Sequence, residues 1–122
     1  MRILAYDRRN DLYDLEEHLR PFYPDDLVFE GFTDIKSLMY AAEKDSFDIV
    51  FADLDIDNKT GIFMLEGLTH LYPHRNYIGM SYYPDNGDAV TLFGMNASGY
   101  IEKPFDNIKI KGLLDNLRYR SH

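Results

Sequence analysis

Apolar residues in this chain come in short runs, separated by stretches in which they recur every three or four positions. The runs are Ile3-Leu4-Ala5-Tyr6, Leu27-Val28-Phe29, Ile49-Val50-Phe51-Ala52, Tyr77 to Met80 and Tyr100-Ile101. Each reads as a buried strand. The stretches that follow carry helical stripes: Leu12, Leu15, Leu19 and Phe22; Ile35, Leu38, Met39 and Ala42; Ile62, Leu65, Leu68 and Leu71; Ala89, Leu92, Phe93 and Asn96; Ile110, Leu113, Leu114 and Leu117. Asn10 or Asp11 is positioned to cap the first helix, with Pro21 near its stop, and Thr33 or Asp34 to cap the second. Strand and helix alternate five times. That alternation predicts an α/β domain with parallel strands, right-handed crossovers and helices on both faces of the sheet.

In an open sheet of this kind the site lies beyond the carboxyl ends of the strands. The polar residues directly after the runs are therefore the candidates: Asp7 and Arg8, Glu30, Asp53, Ser81 and Lys103. Asp53 ends the most apolar run and is followed at alternate positions by Asp55 and Asp57. A carboxylate can attack a phosphoryl donor and become an acyl phosphate. The charge that develops on the phosphoryl oxygens then needs a lysine and a hydroxyl donor. A divalent cation, held by carboxylates and a backbone carbonyl, commonly completes such a site.

Composition narrows the classes. The chain has 122 residues, 45% of them hydrophobic, which suits one domain with one packed core. A net charge of −8 argues against direct nucleic-acid binding, which needs clustered Lys and Arg. The absence of cysteine excludes disulfides and thiolate chemistry and fits a reducing cytosol. The first apolar run is broken by Asp7, too early for a signal peptide, and no run approaches the ~20 residues of a membrane span. The expected location is cytoplasmic. His18, His70, His74 and His122 show no metal-ligand spacing and read as exposed.

The segments "FDIVFADLDIDNKTG" and "GYIEKPF" resemble the response-regulator receiver domains of bacterial two-component signalling, and the likeness covers essentially the whole chain. The resemblance implies a flavodoxin-like (βα)5 three-layer sandwich with a parallel five-stranded sheet in order 2-1-3-4-5, spanning residues 1–122. It implies that Asp53, eight residues before Gly61, is the phosphoacceptor, that Lys103 and Ser81 assist, and that Ser81 and Tyr100 form the switch. It also implies Mg²⁺ held by Asp7, Asp53 and the backbone carbonyl of Asp55. Implied partners are a histidine kinase or other phosphodonor, a second copy through the helix 4–strand 5–helix 5 face, and a fused DNA-binding output domain outside this chain. The stretch "AVTLFGMNASGYIEKPF" is similar to receivers of the LytTR-type regulators. The chemistry implied is limited to self-phosphorylation and slow acyl-phosphate hydrolysis rather than turnover of a substrate.

Two residues depart from the family pattern. Arg8 stands where a second metal-binding acid belongs, and Tyr82 follows Ser81 where a small residue is usual. With Asp7, Asp53, Arg8 and Lys103 the pocket sums to zero charge. A unit charge at about 4 Å is worth roughly 4 kcal/mol at an effective dielectric near 20, so Mg²⁺ should bind weakly or not at all. Arg8 is then expected to pair with Asp53 in the metal's place, Asp55 to add a rim charge, and Asp57 to be a solvated loop residue. A receiver closed in this way would be a phosphorylation-independent pseudo-receiver, an interaction module. "DLDID" also fits the start of a haloacid-dehalogenase-type phosphatase motif, but that motif follows a first strand, not a third. An EF-hand loop would need glycine and glutamate where the chain has Asn58 and Met64.

Overall fold

The structure, a computed structural model, describes residues 1–120. In chain order it contains β1 (Arg2–Tyr6), α1 (Arg9–Leu19), a 3-10 turn (Arg20–Phe22), β2 (Val28–Phe32), α2 (Ile35–Lys44), β3 (Ile49–Asp53), α3 (Thr60–Leu71), β4 (Asn76–Ser81), α4 (Asn86–Gly94), β5 (Gly99–Glu102) and α5 (Asn107–Arg120). The five strands are parallel and ordered β2-β1-β3-β4-β5, the expected flavodoxin-like sheet. Side chains alternate across the pleat into two core layers. Ile3, Ala5, Ile49, Phe51, Ile78 and Met80 meet α1 and α5 through Leu15, Leu19, Ile110 and Leu114. Leu4, Tyr6, Val50 and Ala52 meet α2, α3 and α4 through Leu38, Leu65, Leu68 and Leu92.

The topology places the candidate residues. The chain runs from β1 to β2 on one side and then crosses back to β3 on the other. The ends of β1 and β3 are therefore neighbours, with Tyr6 beside Ala52 in register. Asp7 and Asp53 lie side by side just beyond. Ser81 ends β4, and the Lys103 N–H donates to the Ser81 carbonyl at 2.8 Å.

Several expected details differ. β2 extends to Phe32, so Glu30 sits mid-strand opposite Leu4, and its carboxylate accepts from Arg2 Nε at 2.6 Å instead of facing the site. α1 starts at Arg9 behind Arg8, which offers no side-chain cap, so neither Asn10 nor Asp11 caps the helix. Asp34 does cap α2, accepting from the Ser37 N–H at 2.8 Å. α4 turns Asp88 and Leu92 inward, leaving Ala89 and Phe93 exposed and Asn96 beyond the helix with φ 64°. The reason is an ion pair: Lys59 Nζ lies 2.9 Å from Asp88 and compensates the carboxylate's burial. Leu71 also faces solvent. His18 is half-buried, with Nδ1 2.8 Å from the Asp14 carbonyl, while His70 and His74 are exposed. His122 lies outside the described residues.

Candidate functional site

Asp53 ends β3 and is fully buried. One carboxylate oxygen, Oδ1, accepts from Lys103 Nζ at 2.7 Å. The other, Oδ2, accepts from the backbone N–H groups of Asp55 at 2.9 Å and Ile56 at 2.8 Å. The side chain thus folds its own loop around itself. The loop continues through Asp57, Asn58 and Lys59 at φ 48°, 54° and 67°. Asp and Asn tolerate that left-handed region better than most residues, whereas Lys59 carries strain. Asp57 is exposed.

Lys103 follows β5, and the Lys103–Pro104 peptide is cis. Its ammonium is buried and faces three carboxylates: Asp53 Oδ1 at 2.7 Å, Asp7 Oδ2 at 2.8 Å and Asp11 Oδ2 at 3.2 Å. Desolvation, the largest single influence, pulls the Lys103 pKa down, but the hydrogen bonds and charges of Asp53 and Asp7 together push it above the ordinary value. The ammonium therefore stays charged across the physiological range.

Asp11 belongs to this cluster although sequence reasoning missed it. It reads as a helix cap, four residues after Asp7. That same spacing places it in the first turn of α1, directly above the end of β1. Arg8 behaves oppositely. Its backbone N–H donates to Asp7 Oδ1 at 2.7 Å, but its side chain is exposed and makes no ion pair among the described residues. Successive residues point to opposite sides where the strand geometry persists, so an inward Asp7 turns Arg8 outward. Lys103, not Arg8, holds Asp53. The local balance is four carboxylates, Asp7, Asp11, Asp53 and Asp55, around one ammonium.

Asp55 is more than a rim charge. Its Oδ1 accepts from Ser81 Oγ at 2.6 Å and its Oδ2 from the Tyr82 N–H at 2.9 Å. Ser81 Oγ in turn accepts from the Tyr83 N–H at 2.9 Å. The Tyr82 ring centre lies 4.6 Å from Lys103 Nζ, within cation–π range, and its hydroxyl donates to Asp11 Oδ1 at 2.6 Å. That bond, followed by burial, pushes the Tyr82 pKa up to about 12. Tyr100 is half-buried against the α2–α3–α4 layer, and its hydroxyl accepts from the Asp85 N–H at 3.2 Å.

The expected Mg²⁺ ligands do not fit a divalent ion as arranged. Asp7 and Asp53 both point at the Lys103 ammonium, and among the described residues no group of three acidic or imidazole side chains is disposed to hold a metal.

Asp7 is pushed up to about 6, chiefly by burial. The hydrogen bond and charge of Lys103 and the Arg8 N–H pull the other way, and the Asp53 charge adds to the rise. Folded Asp7 keeps a proton that the unfolded chain releases near 3.8. Its contribution to stability is therefore greatest below that value and is lost as pH rises toward about 6. Urea unfolding across this window should show wild type losing on the order of 2 kcal/mol relative to Asp7→Asn. Parallel pH profiles for the two proteins would contradict the shift.

A parallel sheet in this order, with carboxylate, hydroxyl and lysine at successive strand ends, defines a flavodoxin-like domain with a polar site at the carboxyl edge of its sheet. The chain belongs to the response regulator receiver domain family, whose profile matches residues 14–115. No curated protein sequence matches it. Among solved structures it is similar to a response regulator receiver protein from Pseudoalteromonas atlantica, at 22% identity and TM-score 0.82 over 100% of both chains. It is similar also to the signal receiver domain of an HD domain-containing protein from Pseudomonas fluorescens Pf-5, at 21% identity and TM-score 0.83, covering 99% of this chain and 96% of that one. A third likeness, at 17% identity and TM-score 0.77, covers 98% of this chain and 71% of a response regulator from Burkholderia pseudomallei. That protein was crystallised with a phosphorylated aspartic acid, a calcium ion and citrate. Among the described residues no helix is long and apolar enough to cross a membrane.

Proposed function

We propose that residues 1–122 form a single receiver domain that accepts a phosphoryl group at Asp53, with Lys103 as its resident cation. The observation that carries this reading is the Lys103 ammonium, fixed 2.7 Å from Asp53 Oδ1 in a fully buried site. In the reaction an Asp53 oxygen attacks the phosphorus of a phosphohistidine or small acyl phosphate. The new P–O bond forms as the bond to the donor breaks, and the electron pair leaves with the donor. The ammonium, already between Asp53 and Asp7, stabilises charge on the phosphoryl oxygens. Ser81 exchanges Asp55 for one of those oxygens. Arg8 turns outward, so the pocket is net negative, and the zero charge that spoke against a divalent ion falls away. Such an ion would have to draw Asp7 and Asp53 away from Lys103, and acceptance is proposed not to depend on it. The domain performs no chemistry beyond its own phosphorylation and slow hydrolysis of the acyl phosphate.

The signal then passes through the loop between β4 and α4, where the Tyr100 hydroxyl meets the Asp85 N–H. Val90 and Phe93 on α4 and Ile108 on α5 are exposed, which supports a homodimer through the α4–β5–α5 face. A histidine kinase and a DNA-binding output domain are the further partners proposed, in the cytoplasm. A second reading, a pseudo-receiver, is favoured by one observation: Asp53 has no exposed surface and both of its oxygens are occupied.

Intact-mass measurement after incubation with acetyl phosphate, with and without Mg²⁺, separates the two. The expected result is a phosphate-sized gain in wild type that persists without Mg²⁺ and vanishes in Asp53→Asn. The same samples in sedimentation velocity report whether phosphorylation shifts monomer to dimer. No gain under any condition favours the pseudo-receiver.

A further inference from the structure

We propose that Asp11 is a positioning residue of this pocket, holding Tyr82 across its mouth as a latch that must swing out before a phosphodonor reaches Asp53. The inference rests on the reading of Asp53 as acceptor.

The path of the tyrosine carries the argument. Tyr82 leaves the chain at the end of β4, and its hydroxyl reaches Asp11 on α1, which follows β1. In the sheet, β3 lies between β1 and β4. The side chain therefore crosses over the end of β3, where Asp53 sits. Beneath it, Asp53, Ser81, Lys103 and Asp7 are each no more than 1% exposed. A nucleophile with no exposed surface cannot meet a donor until something moves.

Tyr82 is built to move. Its ring belongs to neither core layer and is 40% exposed. Tyr83, Pro84 and Asp85 beyond it are also exposed. Two contacts fix the ring: the hydrogen bond to Asp11 and the approach to Lys103. Asp11 supports both, since its second oxygen faces Lys103 at 3.2 Å. Once Lys103 turns to a phosphoryl group, Asp11 loses one partner and the ring loses its cation. Acceptance and opening are thereby coupled through one carboxylate.

The chain has no cysteine, so Asp53→Cys introduces a unique thiol whose labelling rate reports access without any phosphochemistry. Labelling with methyl methanethiosulfonate, followed by intact mass, is compared in the Asp53→Cys background alone and with Tyr82→Phe, Tyr82→Ala or Asp11→Asn. Tyr82→Phe removes one hydroxyl and Asp11→Asn one charge at a partly exposed position, so both keep the fold. The expected result is labelling about tenfold faster in either, since a hydrogen bond to a charged group shifts a local opening equilibrium by that order, and faster again in Tyr82→Ala. Tyr82→Phe combined with Asp11→Asn should label little faster than Tyr82→Phe alone, because Asp11→Asn weakens, by removing the charge, the same bond that Tyr82→Phe abolishes. Rates equal within about twofold across all backgrounds would overturn the latch. Acetyl phosphate uptake by the same variants, with Asp53 restored, is the second arm. Faster labelling with no uptake anywhere leaves the latch standing and removes the acceptor reading. Uptake at one rate in every variant, with uniform labelling, removes the latch and leaves the acceptor.

Discussion

Replacing Lys103 by methionine is expected to cost about 3–5 kcal/mol of stability at pH 7, the range seen when one partner of a buried ion pair is removed. The side chains of Lys103, Asp53 and Asp7 are almost entirely shielded from water, and the ammonium is the counter-charge common to them and to Asp11. Methionine fills similar volume but neutralises nothing, so the carboxylates repel one another in a poorly solvated site. Two further results are expected. The penalty shrinks toward pH 5, because Asp7 already titrates at about 6 and takes up a proton readily once the lysine is gone. Adding Asp7→Asn to Lys103→Met restores a large part of the loss, since one of the uncompensated charges is removed. Urea denaturation followed by circular dichroism measures all three. A loss below about 1 kcal/mol at neutral pH would mean that solvent reaches the cluster and screens it, as at surface ion pairs.

This cluster also shows how far the chain could be read before its structure. The alternation of apolar runs and helical stripes locates every strand and helix, because a strand buried on both faces has no polar interruption and β3 is buried along its length. Asp53, Ser81 and Lys103 are legible for the same reason: each is the first polar residue after such a run, or lies within a motif that follows one. Asp11 was not legible. Its role depends on the direction in which the first turn of α1 faces, and that is set by packing of Leu12, Leu15 and Leu19 against the sheet rather than by its immediate neighbours. Arg8 was misplaced by counting charges along the chain without asking to which side each pointed. Glu30 was misplaced because β2 lies at the sheet edge and has exposed positions, so its apolar pattern gives no clear end. The α4 stripe failed because an ion pair with a distant residue, Lys59, turns Asp88 inward. Asp11, Glu30 and Asp88 each have a partner remote in sequence, whereas Arg8 simply turns to solvent.

Gly61 yields the second large effect, and propensity alone predicts its sign wrongly. Alanine at a helical glycine normally gains up to about 1 kcal/mol, since glycine is the poorest non-proline helix former. At Gly61, in the first turn of α3, a Cβ would lie 2.1 Å from the backbone carbonyl oxygen of Asp53 and 3.2 Å from its carbonyl carbon. No rotamer relieves a clash with backbone. α3 would have to lift by more than an ångström from the end of β3, and it is held there by Ile62, Met64, Leu65 and Leu68 in the core. The expected result for Gly61→Ala is a loss of about 3 kcal/mol, at the upper end of what overpacking costs. The Asp53 carboxylate would be disturbed as well, since the Asp55 and Ile56 N–H groups that orient it lie in the same loop. Gly67→Ala in α3 and Gly112→Ala in α5 are the controls. A Cβ at either position meets nothing within 4 Å, so each should gain about 0.5–1 kcal/mol from helix propensity and the reduced freedom of the unfolded chain. Urea midpoints for the three variants would therefore move in opposite directions. A Gly61→Ala protein as stable as the controls would show that α3 is not seated on the Asp53 carbonyl, and that the spacing from Asp53 to Gly61 is not set by that contact.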